Sequence, residues 1–100
     1  MTTAVAGTAR VAVASEVRAE AARQRWSQTK IAVLLGVSQA SISRKFRAEV
    51  PWDVDELYAL AEAWDVPVTT LLPSLEAMRS TRWFSDSLRA SATSGGTLAA

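Results

Sequence analysis

Three places in this chain share one construction: an apolar residue, then a short polar residue able to cap a helix, then a second apolar residue four positions past the cap. They are Trp26-Ser27 with Ile31, Val37-Ser38 with Ile42, and Trp52-Asp53 with Leu57. A Ser or Asp oxygen at the cap takes up backbone N–H groups that the first helical turn leaves unpaired, and the flanking apolar pair fixes the angle of entry. Glu56 completes an acidic variant of the capping box with Asp53. The first two starts lie so close that the helix begun at Ser27 has to end by Leu35, where Gly36 supplies a residue tolerant of positive φ. This grammar commits the chain to short helices joined by sharp turns.

The remaining elements follow from composition and punctuation. Ala12–Arg25 is rich in Ala, Glu, Gln and Arg, with Val13, Val17 and Ala21 at helical spacing, and predicts a first helix. Pro51 closes the region of the third helix, since proline lacks an N–H and the residue before it avoids the helical region. Leu57, Leu60, Ala61 and Trp64 form the apolar stripe of a fourth helix; Val66-Pro67-Val68 then leads into a short last turn around Thr69–Leu72 that Pro73 ends. Val, Ile and aromatic residues never alternate over a strand length. The predicted fold class is all-α, a compact five-helix domain with an additional C-terminal helical segment.

The expected organisation is a flexible N-terminal tail at 1–10, a helix-turn-helix domain at 11–73 with its central unit at 27–47, a C-terminal segment at 74–90 and a disordered tail at 91–100. The segment 74–90 sets Leu75, Met78, Trp83, Phe84 and Leu88 among Arg79, Arg82 and Arg89. Its apolar side chains need a partner. A dimer or partner contact through Trp83, Phe84 and Leu88 is the preferred use, against packing on the domain's own core or a second DNA contact through the arginines.

The chain has neither cysteine nor histidine, which removes disulfides, thiolate metal sites and the commonest general base. Its acids lie on helix faces and caps with no nucleophile or metal-ligand partner at suitable spacing, so the reading is not an enzyme: no catalytic residue, no metal and no cofactor. The N-terminus has no basic start followed by a long apolar run, which predicts neither a secretory signal nor a membrane span, and hence the cytoplasm of a bacterium or a phage-infected host.

Net charge of +1 conceals an uneven layout. Residues 1–47 hold eight Lys/Arg against Glu16 and Glu20, a net +6; residues 48–76 hold seven acids and no Lys or Arg, a net −7; residues 77–100 return +2. A basic half facing phosphates, with an acidic half turned away, suits DNA binding.

Two short helices joined by a glycine turn of this length form a helix-turn-helix unit, whose second helix enters the major groove while the first crosses the backbone. On the recognition helix, 38–47, Ile42 and Phe46 share one face, and Gln39, Ser43, Ala40, Arg44 and Arg47 line the other. A glutamine amide in the first turn matches the N6/N7 edge of adenine; an arginine suits guanine or phosphate; an alanine methyl suits the thymine methyl, and Ser41 and Ser43 are small enough for close approach. The base-reading candidates are therefore Gln39, Ala40, Ser41, Ser43 and Arg44. Ser27 and Gln28, at the positive end of the second helix, and Lys45 and Arg47, at the end of the third, are the phosphate candidates.

The stretch Gln28-Thr-Lys-Ile-Ala32-Val-Leu-Leu-Gly36-Val-Ser38-Gln-Ala-Ser-Ile42-Ser-Arg44 resembles the lambda-repressor-like family of helix-turn-helix proteins, which includes phage repressors and Cro proteins. The resemblance runs from about Val13 to Leu72. It implies a five-helix fold, a homodimer on a double-stranded DNA operator with two half-sites, and Gln28 on phosphate. Many relatives pair an arginine of the first helix with a glutamate near the end of the third; Ala21 and Phe46 stand at the matching positions, so an apolar contact is expected instead. Asp65 stands where relatives often carry glycine, at a position that calls for positive φ.

The leading expectation is a sequence-specific double-stranded DNA-binding transcriptional regulator of phage-repressor or Cro-like type. The alternative is an antitoxin or other protein-interaction module that holds a protein partner through 74–90. Nine Arg against two Lys, with abundant Ala, fits a GC-rich genome such as that of an actinobacterium or its phages.

Overall fold

The computed structural model describes residues 2–79, with side chains described over 9–78. Its elements are α1 (Thr2–Gln24), α2 (Gln28–Leu35), α3 (Gln39–Phe46), α4 (Val54–Trp64), a 3-10 turn (Val68–Leu71) and α5 (Leu75–Arg79). No strand occurs among the described residues, so the all-α class holds. Among those residues no helix is long and apolar enough to cross a membrane.

All three caps form. Ser27 Oγ accepts from Lys30 N at 3.1 Å and Ser38 Oγ from Ser41 N at 3.1 Å. Asp53 Oδ1 accepts from Glu56 N at 2.9 Å while Glu56 Oε1 accepts from Asp53 N at 3.0 Å, a complete capping box. Helix ends are equally uniform. Arg25, Gly36, Ala48 and Asp65 each adopt positive φ (61°, 69°, 61° and 55°). Each ending carries the same bond pair, as in Trp26 N to Ala21 O at 2.9 Å with Arg25 N to Ala22 O at 3.2 Å. These are Schellman closures, which satisfy the last carbonyls of a helix. Asp65 thus takes the left-handed conformation its position called for.

Three sequence expectations shift. α1 starts at Thr2 instead of Ala12, so the segment 1–10 assigned to a tail is helical from Thr2; its alanines outweigh Gly7, whose helical cost is about 1 kcal/mol. α3 ends at Phe46 through the Ala48 closure, ahead of Pro51. The last turn is 3-10, at Val68–Leu71, and the fifth α-helix instead opens the segment 74–90, with Ser74 Oγ accepting from Ala77 N at 3.0 Å. Residues 80–90, with Trp83, Phe84 and Leu88, and the tail 91–100 lie outside the described residues.

The core gathers Ala14, Val17 and Ala21 of α1, Ile31 and Ala32 of α2, Ile42 of α3, Leu57, Leu60, Ala61 and Trp64 of α4, Trp52 and Leu71. Small residues on α1 let it lie close against α3, the 3-10 turn and α5. The ends of α1 and α4 are tied together. Trp26 meets Trp64 edge-to-face at 6.0 Å, and Gln24 Nε2 donates to the Trp64 carbonyl at 3.3 Å. Gln24 also donates to Glu20 at 2.8 Å, and Arg23 Nε donates to the same carboxylate at 2.9 Å. These bonds, that of Gln24 foremost, hold the buried Glu20 carboxyl below its usual value.

Candidate nucleic-acid interface

The helix-turn-helix unit is built from α2, the Gly36 turn and α3. Ile31, Ala32 and Ile42 are buried and pin both helices to the core, which fixes what each presents outward. Gly36 (φ 69°, ψ 33°) ends α2, and its Schellman partner Val37 N reaches Ala32 O at 3.1 Å. Ser38 then caps α3 within two residues of Gly36.

With Ile42 fully buried, Gln39, Ala40 and Arg44 are exposed and Ser41 and Ser43 half-buried. The structure brings all five base-reading candidates onto one short helix, three of them open to solvent. Two of these side chains are already held. Gln39 Oε1 accepts from the Thr29 hydroxyl of α2 at 3.2 Å. Ser43 Oγ accepts from Arg47 Nη1 at 3.2 Å. Thr29 has no marker in the sequence: ten positions separate it from Gln39, and only the α2–α3 crossing brings them together.

The phosphate candidates divide. Ser27 is exposed and Gln28 half-buried at the start of α2, as expected of a helix end that offers N–H groups and a positive dipole. Lys30, for which the sequence suggested no role, sits beside them with its ammonium 4.4 Å from the centre of the Trp26 ring. Arg47 is exposed but paired, its Nε donating to Glu49 Oε2 at 2.8 Å. That hydrogen bond, with the charges of Arg47 and Arg44, lowers the Glu49 carboxyl, and the same bond with the Glu49 charge raises Arg47. Glu49 counted in the sequence only as one acid of the acidic half, although its spacing from Arg47 was visible.

Lys45 does not belong to this surface. It is 8 % exposed, donates to Glu56 of α4, and lies 5.6 Å from the Trp52 ring centre. The α3 helix turns it toward α4, so its charge is used within the domain, and the expected phosphate contact is withdrawn. Glu56 therefore serves two groups, the start of α4 and the last turn of α3.

The junction of α1 and α3 adds a polar contact to the apolar setting expected there. Ala21 and Phe46 both belong to the core region, and Phe46 packs against Trp52 at 6.1 Å. Yet an arginine of α1 does reach the end of α3: Arg18 Nη1 donates to the Phe46 carbonyl. A cation on those last carbonyls favours the helix dipole.

Among the described residues no three His, Cys, Asp or Glu side chains converge as a metal site. The model of the BetR domain matches residues 8–89 of the chain. No curated protein and no solved structure gave a match.

Proposed function

The chain belongs to the BetR domain family, a non-enzymatic family of helix-turn-helix-like, DNA-binding transcriptional regulators, and on that premise we propose that it reads a specific double-stranded DNA operator as a repressor of phage or Cro-like type. In this reading the lambda-repressor-like resemblance supplies the docking mode: α3 lies in the major groove, with Gln39, Ala40, Ser41, Ser43 and Arg44 at base edges. Ser27, Gln28 and Arg47 meet the phosphates. One observation carries the proposal. Burial of Ile42 turns Gln39, Ala40 and Arg44 outward together on a helix held by the Gly36 turn. The protein acts in the cytoplasm as a homodimer whose half-sites lie about 34 Å apart, one turn of DNA.

A second reading, an antitoxin or other partner-binding module, draws on Leu72 and Leu75, 40 % and 49 % exposed, which precede Trp83, Phe84 and Leu88 in the sequence. Salt-dependent binding to DNA fragments flanking the protein's own gene separates the two. Under the regulator reading the wild type prefers one fragment over random DNA, and Gln39→Ala/Arg44→Ala loses the preference while keeping weak, salt-sensitive binding. Equal binding of both proteins to every fragment overturns it. Loss of function on Trp83→Ala/Phe84→Ala, with helix α3 tolerant of charge reversal, supports the partner module.

A further inference from the structure

A glutamine amide is ambiguous as a reader: its oxygen accepts, its nitrogen donates, and rotation by half a turn about the last side-chain bond exchanges them. On the major-groove edge of an A·T pair, adenine sets an acceptor, N7, beside a donor, N6–H; in the reversed T·A pair the two appear in the opposite order along the groove. An amide with fixed polarity therefore fits one orientation of the pair better than the other. An amide free to turn fits both.

The Gln39 amide has a protein partner on its oxygen. The Thr29 hydroxyl, on the neighbouring helix, donates to Oε1 at 3.2 Å. Thr29 sits in the first turn of α2, which Ser27 caps and Ile31 and Ala32 anchor in the core, so the donor is itself on a rigid support. Turning the amide over would set its NH2 against the hydroxyl; that contact survives only if the hydroxyl gives up donating and accepts instead. In the observed arrangement Oε1 faces α2 and keeps a second lone pair for a base amino group. The Nε2 donor engages no protein group among the described residues and is left for a base acceptor.

We propose that Thr29 is a positioning residue that fixes the polarity of the Gln39 amide and so makes this chain discriminate A·T from T·A at one operator position. The proposal rests on the reading of Gln39 as a base contact. Thr29 touches no base in this account; it acts through Gln39.

The test is selection from a randomised duplex library by the full chain in four forms: wild type, Thr29→Val, Thr29→Ser and Gln39→Ala. Valine keeps the shape and removes the hydroxyl, while serine restores it. The wild type and Thr29→Ser are expected to prefer one orientation of an A·T pair at a single position, by about tenfold. Thr29→Val should lower that preference to about twofold or less while preferences at the other positions stand, an effect that a general loss of stability does not produce. Should Thr29→Val fail to fold by thermal melting, Thr29→Ala, which favours helix, replaces it. Unchanged orientation preference in the folded hydroxyl-free variant, with the preference lost in Gln39→Ala, overturns the role of Thr29 and leaves the reading of Gln39 standing. A preference that survives Gln39→Ala overturns both.

Discussion

Arg47 brings its charge to the end of α3 and meets a carboxylate there, so its availability to phosphate depends on a neighbour two residues away. Each side chain of the pair is more than half exposed, and an exposed pair of this kind opens readily against a phosphate competitor. Glu49 also opposes a polyanion directly. Replacing it as Glu49→Gln should tighten DNA binding with little change in the slope of log affinity against log salt, whereas Arg47→Gln should make that slope shallower by about one, the signature of one lost phosphate contact. Fluorescence titration of a labelled duplex across a salt series reads both; an unchanged slope in Arg47→Gln places Arg47 off the phosphates. The contrast with Lys45 shows which parts of the site the sequence discloses. Helical periodicity alone separates Gln39, Ala40 and Arg44 from Ile42, because Ile42 is a large apolar side chain and its neighbours are polar or small. Lys45 is polar and follows the exposed residues in sequence, and its burial is decided by Glu56, on another helix.

Helix ends show the same division at the next scale. Gly36 was legible as a left-handed position from its residue type and Asp65 only through the family resemblance, while the caps Ser27, Ser38 and Asp53 were legible because capping is local chemistry. Arg25 and Ala48 were not, since nothing in either side chain favours positive φ; their conformation is imposed by the helices docking on both sides. That imposition has a measurable cost. Arg25→Gly and Ala48→Gly should each stabilise the domain by about 0.5–1 kcal/mol, the left-handed penalty less the added entropy of an unfolded glycine. Gly36→Ala should destabilise by about 1 kcal/mol for conformational reasons alone, because an added Cβ there meets nothing within 4 Å. Urea titrations measure all three, and a destabilised Ala48→Gly would refute the account of that ending. The joint between α3 and α4 is tested by Lys45→Ala. With both side chains of the Lys45–Glu56 pair nearly buried, removing one partner should cost about 2–4 kcal/mol while leaving the salt slope of DNA binding unchanged. A phosphate ligand would behave the opposite way.

At the scale of the molecule, the basic half formed by α1 to α3 and the acidic segment 48–76 meet at the recognition helix, as Lys45–Glu56 in the interior and Arg47–Glu49 at the surface. The ends of α1 and α4 are joined by a different group, Glu20, whose carboxylate binds Arg23 and, through Gln24, the Trp64 carbonyl. The buried carboxyl is exchanged between two states on folding. In the unfolded chain it has no such partners; in the folded chain the hydrogen bonds from Gln24 and Arg23 hold it below the ordinary glutamate value. A folded value below the unfolded one means that the unfolded state binds more protons in the interval between them, so stability falls as pH falls through it. The contribution is whole above the unfolded value and is gone below the folded one. Melting temperature measured from neutral pH down through the carboxylate range should therefore fall less steeply for Glu20→Gln than for the wild type, with the wild type the more stable at neutral pH and the two curves converging toward acid. Parallel curves would show that Glu20 titrates alike in both states, and that the bond network joining α1 to α4 contributes through its neutral members alone.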